Sequence, residues 1–249
     1  MSLSKFFNTQ NFNLQQVVTP NIGTKNKLLI FRLCSLVVLL YGLWVSIYNY
    51  YYNFNTNELR IYLPYFTNQT YICIIIYFIL NIYFQIKDKS NALPKRFKNE
   101  NLNVFIQVFY NTITPLAFLV TLIFWTLIYP IIDFSRCNYL NYAQHIILHL
   151  CQSIFLGTDW FLTLVPTSRT HTIPMVITGI TFIIFAQIYH ALYGDWIYKF
   201  LDNSKPDWYI TYIVVVLFWI SFGFVFTIIH EKKNEYHKKI NKKTNKKDH

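Results

Sequence analysis

The stretch from His145 to Asp159 reads HIILHLCQSIFLGTD. It is apolar enough to sit in lipid, yet it carries two histidines four positions apart and an aspartate ten residues after the second. An ionisable side chain at the centre of a bilayer costs about 2.5–3.5 kcal/mol on insertion scales. Groups of that kind face the interior of a bundle or belong to a site. Whether this is a membrane helix depends on what surrounds it.

The surroundings are alike. Long, nearly uncharged runs of about 20 residues or more recur along the chain, each long enough to cross a bilayer core. The chain has 249 residues, 54% of them hydrophobic and 13% charged. Length alone would also suit soluble domains, so the placement of the apolar runs decides. Six helices are expected, at about 28–50, 66–86, 104–130, 141–164, 172–194 and 207–230. The third contains Pro115, expected to free a backbone carbonyl and kink the helix. The fourth and fifth are joined by VPTSRTHTIP, with a proline near each end. There is no internal repeat and no room for a separate soluble domain. The expected fold is therefore an all-α membrane protein, a bundle of six transmembrane helices over 28–230, with a leader at 1–27 and a Lys-rich tail at 231–249.

Charge placement orients the bundle. With six spans, one side holds Lys5, Lys25, Lys27, Lys87, Lys89, Lys95, Arg96, Lys98, Arg169 and the eight tail lysines, 17 in all. The other holds Arg60, Arg136, Lys199 and Lys205, which is 4. The positive-inside rule puts both termini in the cytoplasm. The net charge of +11 is read as topology, and no nucleic-acid partner is expected. The chain ends KKDH, a dilysine pattern that fits the endoplasmic reticulum. A tail so rich in lysine also meets anionic headgroups, and another endomembrane, the plasma membrane or a mitochondrial membrane stays open. Cys34, Cys73, Cys137 and Cys151 show no zinc-ligand spacing and suggest no disulfide framework.

Topology then sorts the polar residues by depth. The fourth helix enters from the non-cytoplasmic side, so His149 lies roughly 12 Å in, and His190 ends the returning fifth helix in the same leaflet. Thr67 and Thr70, in YFTNQT, open the second helix there too. Asp159 is roughly 15 Å deeper than His149, too far to orient its ring, and reads as structural. His145 and His149 share a helix face. That pair lacks the glutamate a zinc peptidase needs, and no metal site is expected. Two readings stay open at this point. His149 and His190 could serve as axial haem ligands, the mark of a non-catalytic carrier or an accessory subunit. Or His149 could act as general base toward a hydroxyl such as that of Thr67.

The ordered set YFTNQT, TPLAFLVTLIFWTLIYP, NYAQHIILHLCQSIFLGTD and YHALYGDWIYKFLD resembles the androgen-induced gene family of six-helix membrane proteins, over residues 30–230. That family includes intramembrane threonine hydrolases cleaving fatty acid esters of hydroxy fatty acids. The resemblance implies Thr67 as nucleophile, with Thr70 its local rival, and His149, ten residues before an acidic side chain, as base. It implies His145, His190 and Trp196 as residues lining the substrate site. It further implies no cofactor, and membrane lipids and a lipid ester as partners, with protein partners undefined. The last block departs from the family at Lys199, where the family has proline.

Overall fold

The computed structural model describes residues 2–54, 62–132 and 138–245. Arg60, Arg136, Cys137 and the KKDH terminus lie outside the described residues. Helix accounts for 79% of the described residues, with no strand among them. Two short helices, α1 (Leu3–Phe6) and α2 (Gln15–Val18), precede the long ones. These are α3 (Lys25–Phe54), α4 (Phe66–Lys89) and α5 (Glu100–Ile123), the last extended by a π-helical turn over Phe124–Ile128. Then come α6 (Tyr139–Ile146) and α7 (Gln152–Leu162), joined without a break by a second π turn over Ile147–Cys151. Two further helices, α8 (Thr172–Tyr193) and α9 (Trp208–Asn245), complete the chain.

Among the described residues, five segments are long and apolar enough to cross a membrane: Lys25–Tyr51, Phe66–Lys89, Glu100–Ile128, Arg169–Tyr193 and Trp208–Ile240. This fits an integral membrane protein. The fourth expected helix is present as the unbroken rod 139–162, divided into α6 and α7 by its π turn. Pro115 sits inside α5 without ending it. The last helix runs well past residue 230, the expected end of the apolar region, to Asn245.

Local chemistry sets the helix ends. The Asn99 and Asn138 side chains cap α5 and α6, accepting from Asn101 N and Asn141 N at 2.9 and 3.0 Å. Beyond α4, Asn91 adopts φ +53° and the chain folds back, Ala92 N donating to Lys87 O. Gly194 (φ +80°) ends α8 in the left-handed conformation that glycine accepts without strain.

The interior is apolar with polar threads. Leu39, Tyr71, Ile74, Phe78 and Leu156 are fully buried. Between them the Tyr71 hydroxyl donates to Leu39 O, and Asn111 donates to Gln107 O and Pro166 O. The outside is covered with large apolar side chains such as Val37, Leu127, Ile177 and Leu217, more than a water-soluble surface carries.

The leader and the later part of α9 lie at one end of the bundle. Phe12, Leu14, Val17 and Val18 of the leader are buried, and Leu14 N donates to Lys95 O in the loop after α4. On α9, Lys233 is a buried side chain whose ammonium donates to Trp160 O and Thr163 O, the carbonyls that end α7. Counted with the tail in the charge tally, it acts as a helix C-cap. The deepest feature of this end is the Arg32–Asp159 pair, both side chains wholly buried. Arg32 Nε donates to one carboxylate oxygen at 2.6 Å and an Nη to the other at 3.1 Å. Tyr77 donates to the same carboxylate, and Arg32 also reaches Gln85 Oε1 at 3.1 Å and Val17 O at 2.8 Å.

Candidate functional site

The opposite end holds the starts of α4 and α6, the end of α5, and the loop between α8 and α9. A cavity of about 610 Å³ lies among them, lined by Thr67, Asn68, Phe124, Gln144, His145, His149, Tyr198, Lys199 and Lys205 among others. Thr67, His145 and His149, placed in one leaflet by topology, are thus brought together by the fold. Thr70 is buried and lines neither this cavity nor its neighbour.

The two π turns make the centre of this site. His149 sits in one and Phe124 in the other. Their rings stack in parallel, centroids 3.4 Å apart and planes 1° from coplanar. Trp125 Nε1 donates to His149 O at 3.2 Å, fastening one π turn to the other. A π turn widens the backbone by one residue, breaks the α-helical register, and recurs at functional sites. His145 lies one turn away, its ring 6.0 Å from that of His149 and 5.4 Å from Phe124. Most of the His149 side chain is buried, and its Nδ1 has no hydrogen-bond partner among the described residues. Beside it, Gln144 is held by Asn49 at 2.7 Å and itself donates to Ser46 at 3.0 Å.

Thr67 is the second residue of α4. Tyr65 precedes the helix in extended backbone without a side-chain cap, so the amides of Phe66 and Thr67 open toward the site. The Tyr198 hydroxyl lies near enough to those two amides and the Thr67 hydroxyl for them to favour its ionised form. Burial pushes the Tyr198 hydroxyl up to about 12, against the pull of the hydrogen bonds from Thr67 and Phe66.

The path of the loop explains how Tyr198 arrives. Gly194 reverses the chain after α8, and Trp196 then packs back on His190, rings 3.9 Å apart and 16° from parallel. Ile197 and Leu201 are buried beneath, and Tyr198 stacks on Phe200 over the start of α4. His190 and Trp196 line neither large cavity; they hold the loop that delivers Tyr198. His149 lines the first cavity, and His190 lines neither. No group of three metal-ligating side chains occurs among the described residues. Asp159 is at the far end of the bundle, paired with Arg32.

A second cavity, about 580 Å³, adjoins the first between α5, α8 and α9. Thr67 and Tyr198 line both.

Sequence reasoning passed over Tyr198 and Arg32. The signal for Arg32 was present, since it is the lone basic residue in the first apolar run and Asp159 the lone acid in the fourth, at matching depth. Tyr198 carried no signal beyond its place after Gly194.

No protein-family model matches the chain, and comparison with curated proteins and with solved structures gave no match.

Proposed function

We propose that this protein is an intramembrane threonine hydrolase of lipid esters. Six helices, the rod 139–162 being the sixth, cross the membrane with both termini cytoplasmic, the endoplasmic reticulum being the expected compartment. One observation carries the reading. A threonine hydroxyl at a helix start and a largely buried histidine, 82 positions apart in sequence (149 − 67), line a single cavity at one end of an apolar bundle.

The chemistry is acyl transfer in two balanced steps. His149 takes the Thr67 hydroxyl proton as the oxygen adds to the ester carbonyl carbon. The bond to the alcohol oxygen breaks, and that oxygen leaves with the proton held by His149. Water then adds to the acyl-Thr67 ester, giving a proton to His149. The Thr67 oxygen leaves and recovers that proton, releasing the carboxylic acid. The Tyr198 hydroxyl, beside Thr67 and backed by the Phe66 and Thr67 amides, is the donor that can meet negative charge on the carbonyl oxygen. Phe124 holds the imidazole plane, and His145 lies one turn from His149 in the same cavity.

The purified protein in lipid vesicles, treated with a fluorophosphonate hydrolase probe and offered long-chain fatty acid esters of hydroxy fatty acids, tests this. Labelling that disappears in Thr67→Ala, together with ester cleavage, supports the reading. A wild-type protein that is neither labelled nor active overturns it.

A further inference from the structure

The two cavities share Thr67, Leu127, Ile128, Tyr198 and Phe200 in their walls, and they differ in the rest of their lining. One holds Gln144, His145, His149, Lys199 and Lys205. The other is walled by Val120, Ile123, Phe182, Ile183, Val215 and Trp219. An ester has two arms, and the mechanism assigns them. The departing alcohol oxygen must receive its proton from His149, so it lies on the side of that ring. His149 lines the first cavity and not the second. The acyl carbon bonded to Thr67 therefore extends the other way.

Resting on the hydrolase reading, we propose that the apolar chamber between α5, α8 and α9 is the acyl-chain site. Its substrates are esters of long, unbranched acyl chains, whose length this chamber selects. The alcohol arm takes the chamber that holds the histidines and lysines.

The chamber is built rather than a gap between loose helices. At Gly179 the indole of Trp219 lies so close that a Cβ would come within 2.9 Å of it. Trp219 Nε1 donates to Met175 O at 2.9 Å, which fixes that indole as the wall. Phe66 packs edge-on against both Phe182 and Trp219, at 5.0 and 5.1 Å. At the rim, Leu127 and Val214 are each 58% exposed on the apolar outer surface, so the chamber opens sideways, toward lipid. An acyl chain can enter along that side, past Thr126 and Thr211 among the lining residues, while its carbonyl stops where Thr67 and Tyr198 border both chambers.

The test uses the full chain in vesicles with 4-methylumbelliferyl esters from butanoyl to hexadecanoyl, comparing wild type with Val215→Phe and Ile183→Ala. Val215→Phe narrows the chamber and should lower the hexadecanoyl-to-butanoyl rate ratio by about tenfold or more. Ile183→Ala widens it and should raise that ratio. Active variants with the wild-type ratio overturn the assignment. A binding measurement separates this failure from failure of the hydrolase reading. A non-cleavable ether analogue brominated midway along its long chain should quench Trp219, a component absent from Trp219→Phe. Quenching without any hydrolysis keeps the chamber and removes the hydrolase. Hydrolysis without quenching removes the chamber and keeps the hydrolase.

Discussion

Replacing Asp159 with alanine should destabilise the protein severely without disabling the site. Arg32 and Asp159 both have no exposed side-chain surface. Removing the carboxylate takes away two of the four hydrogen bonds made by the guanidinium, leaving those to Gln85 and Val17. It also removes the carboxylate to which the Tyr77 hydroxyl donates, leaving that hydroxyl to Tyr110. Breaking a buried pair by removing one partner costs about 3–5 kcal/mol, because a charge is left uncompensated in a medium that cannot solvate it. For a chain of this length, each kcal/mol moves the melting temperature by about 2–4 °C. A central cost of about 4 kcal/mol thus gives a drop of about 8–16 °C. The assay is thermal melting in detergent, followed by tryptophan fluorescence. Arg32→Met with Asp159→Leu removes the charge along with its partner and should recover at least half of the loss. In the folded fraction at 20 °C, roughly 30 °C below an ordinary melting temperature, Asp159→Ala should cleave esters at the wild-type rate, because the pair lies at the end of the bundle away from Thr67. A melting temperature within about 2 °C of wild type would refute the energetic argument. Full stability with lost activity would refute the spatial one.

Four further outcomes are expected. His149→Ala should lose about 10²–10⁴-fold in ester cleavage, with His145→Ala losing much less; equal losses at equal expression would mean that the helix face, not one base, matters. Thr67→Ala should abolish fluorophosphonate labelling, Thr67→Ser should keep part of it, and Thr70→Ala should keep nearly all, as quantified by in-gel fluorescence. Tyr198→Phe should lower the rate by about 10²–10³-fold. Since burial pushes that hydroxyl up to about 12, it remains a proton donor through neutral and mildly alkaline pH, and an alkaline loss of activity that vanished in Tyr198→Phe would contradict this role. Epitope tags at both termini should be digested by protease added to sealed microsomes; protection of either one would sink the cytoplasmic placement.

Much of the bundle was legible because lipid-facing helices announce themselves by length and apolarity alone. The starts of the second, fifth and sixth expected helices fall within a residue of those observed. The end of α9 did not, because backbone hydrogen bonding carries a Lys-rich helix onward after its apolar face has ended. Helix phase also placed His145 and His149 together, and topology placed Thr67 in their leaflet. The π turns were hidden: nothing in ILHLC or FWTLI distinguishes i+5 from i+4 bonding, and it is the packing of Phe124 on His149 that accompanies the wider turn. Tyr198 was hidden for another reason. Its position depends on a loop whose course follows from Gly194 and from the stacking of Trp196 on His190, contacts that no periodicity encodes.

The buried ion pair also has a history in time. Its partners are 127 residues apart in the chain. At about 5–20 residues per second, synthesis reaches Asp159 roughly 6–25 s after Arg32. Through that interval the first helix carries a guanidinium whose unpaired insertion costs about 2.5–3.5 kcal/mol. Its other acceptors arrive in order. Val17 is made before Arg32, and Gln85 follows 53 residues behind it with the second long helix. The first helix therefore enters the bilayer on provisional terms, held by a leader carbonyl, then by an amide, and committed only when the fourth helix brings its carboxylate alongside.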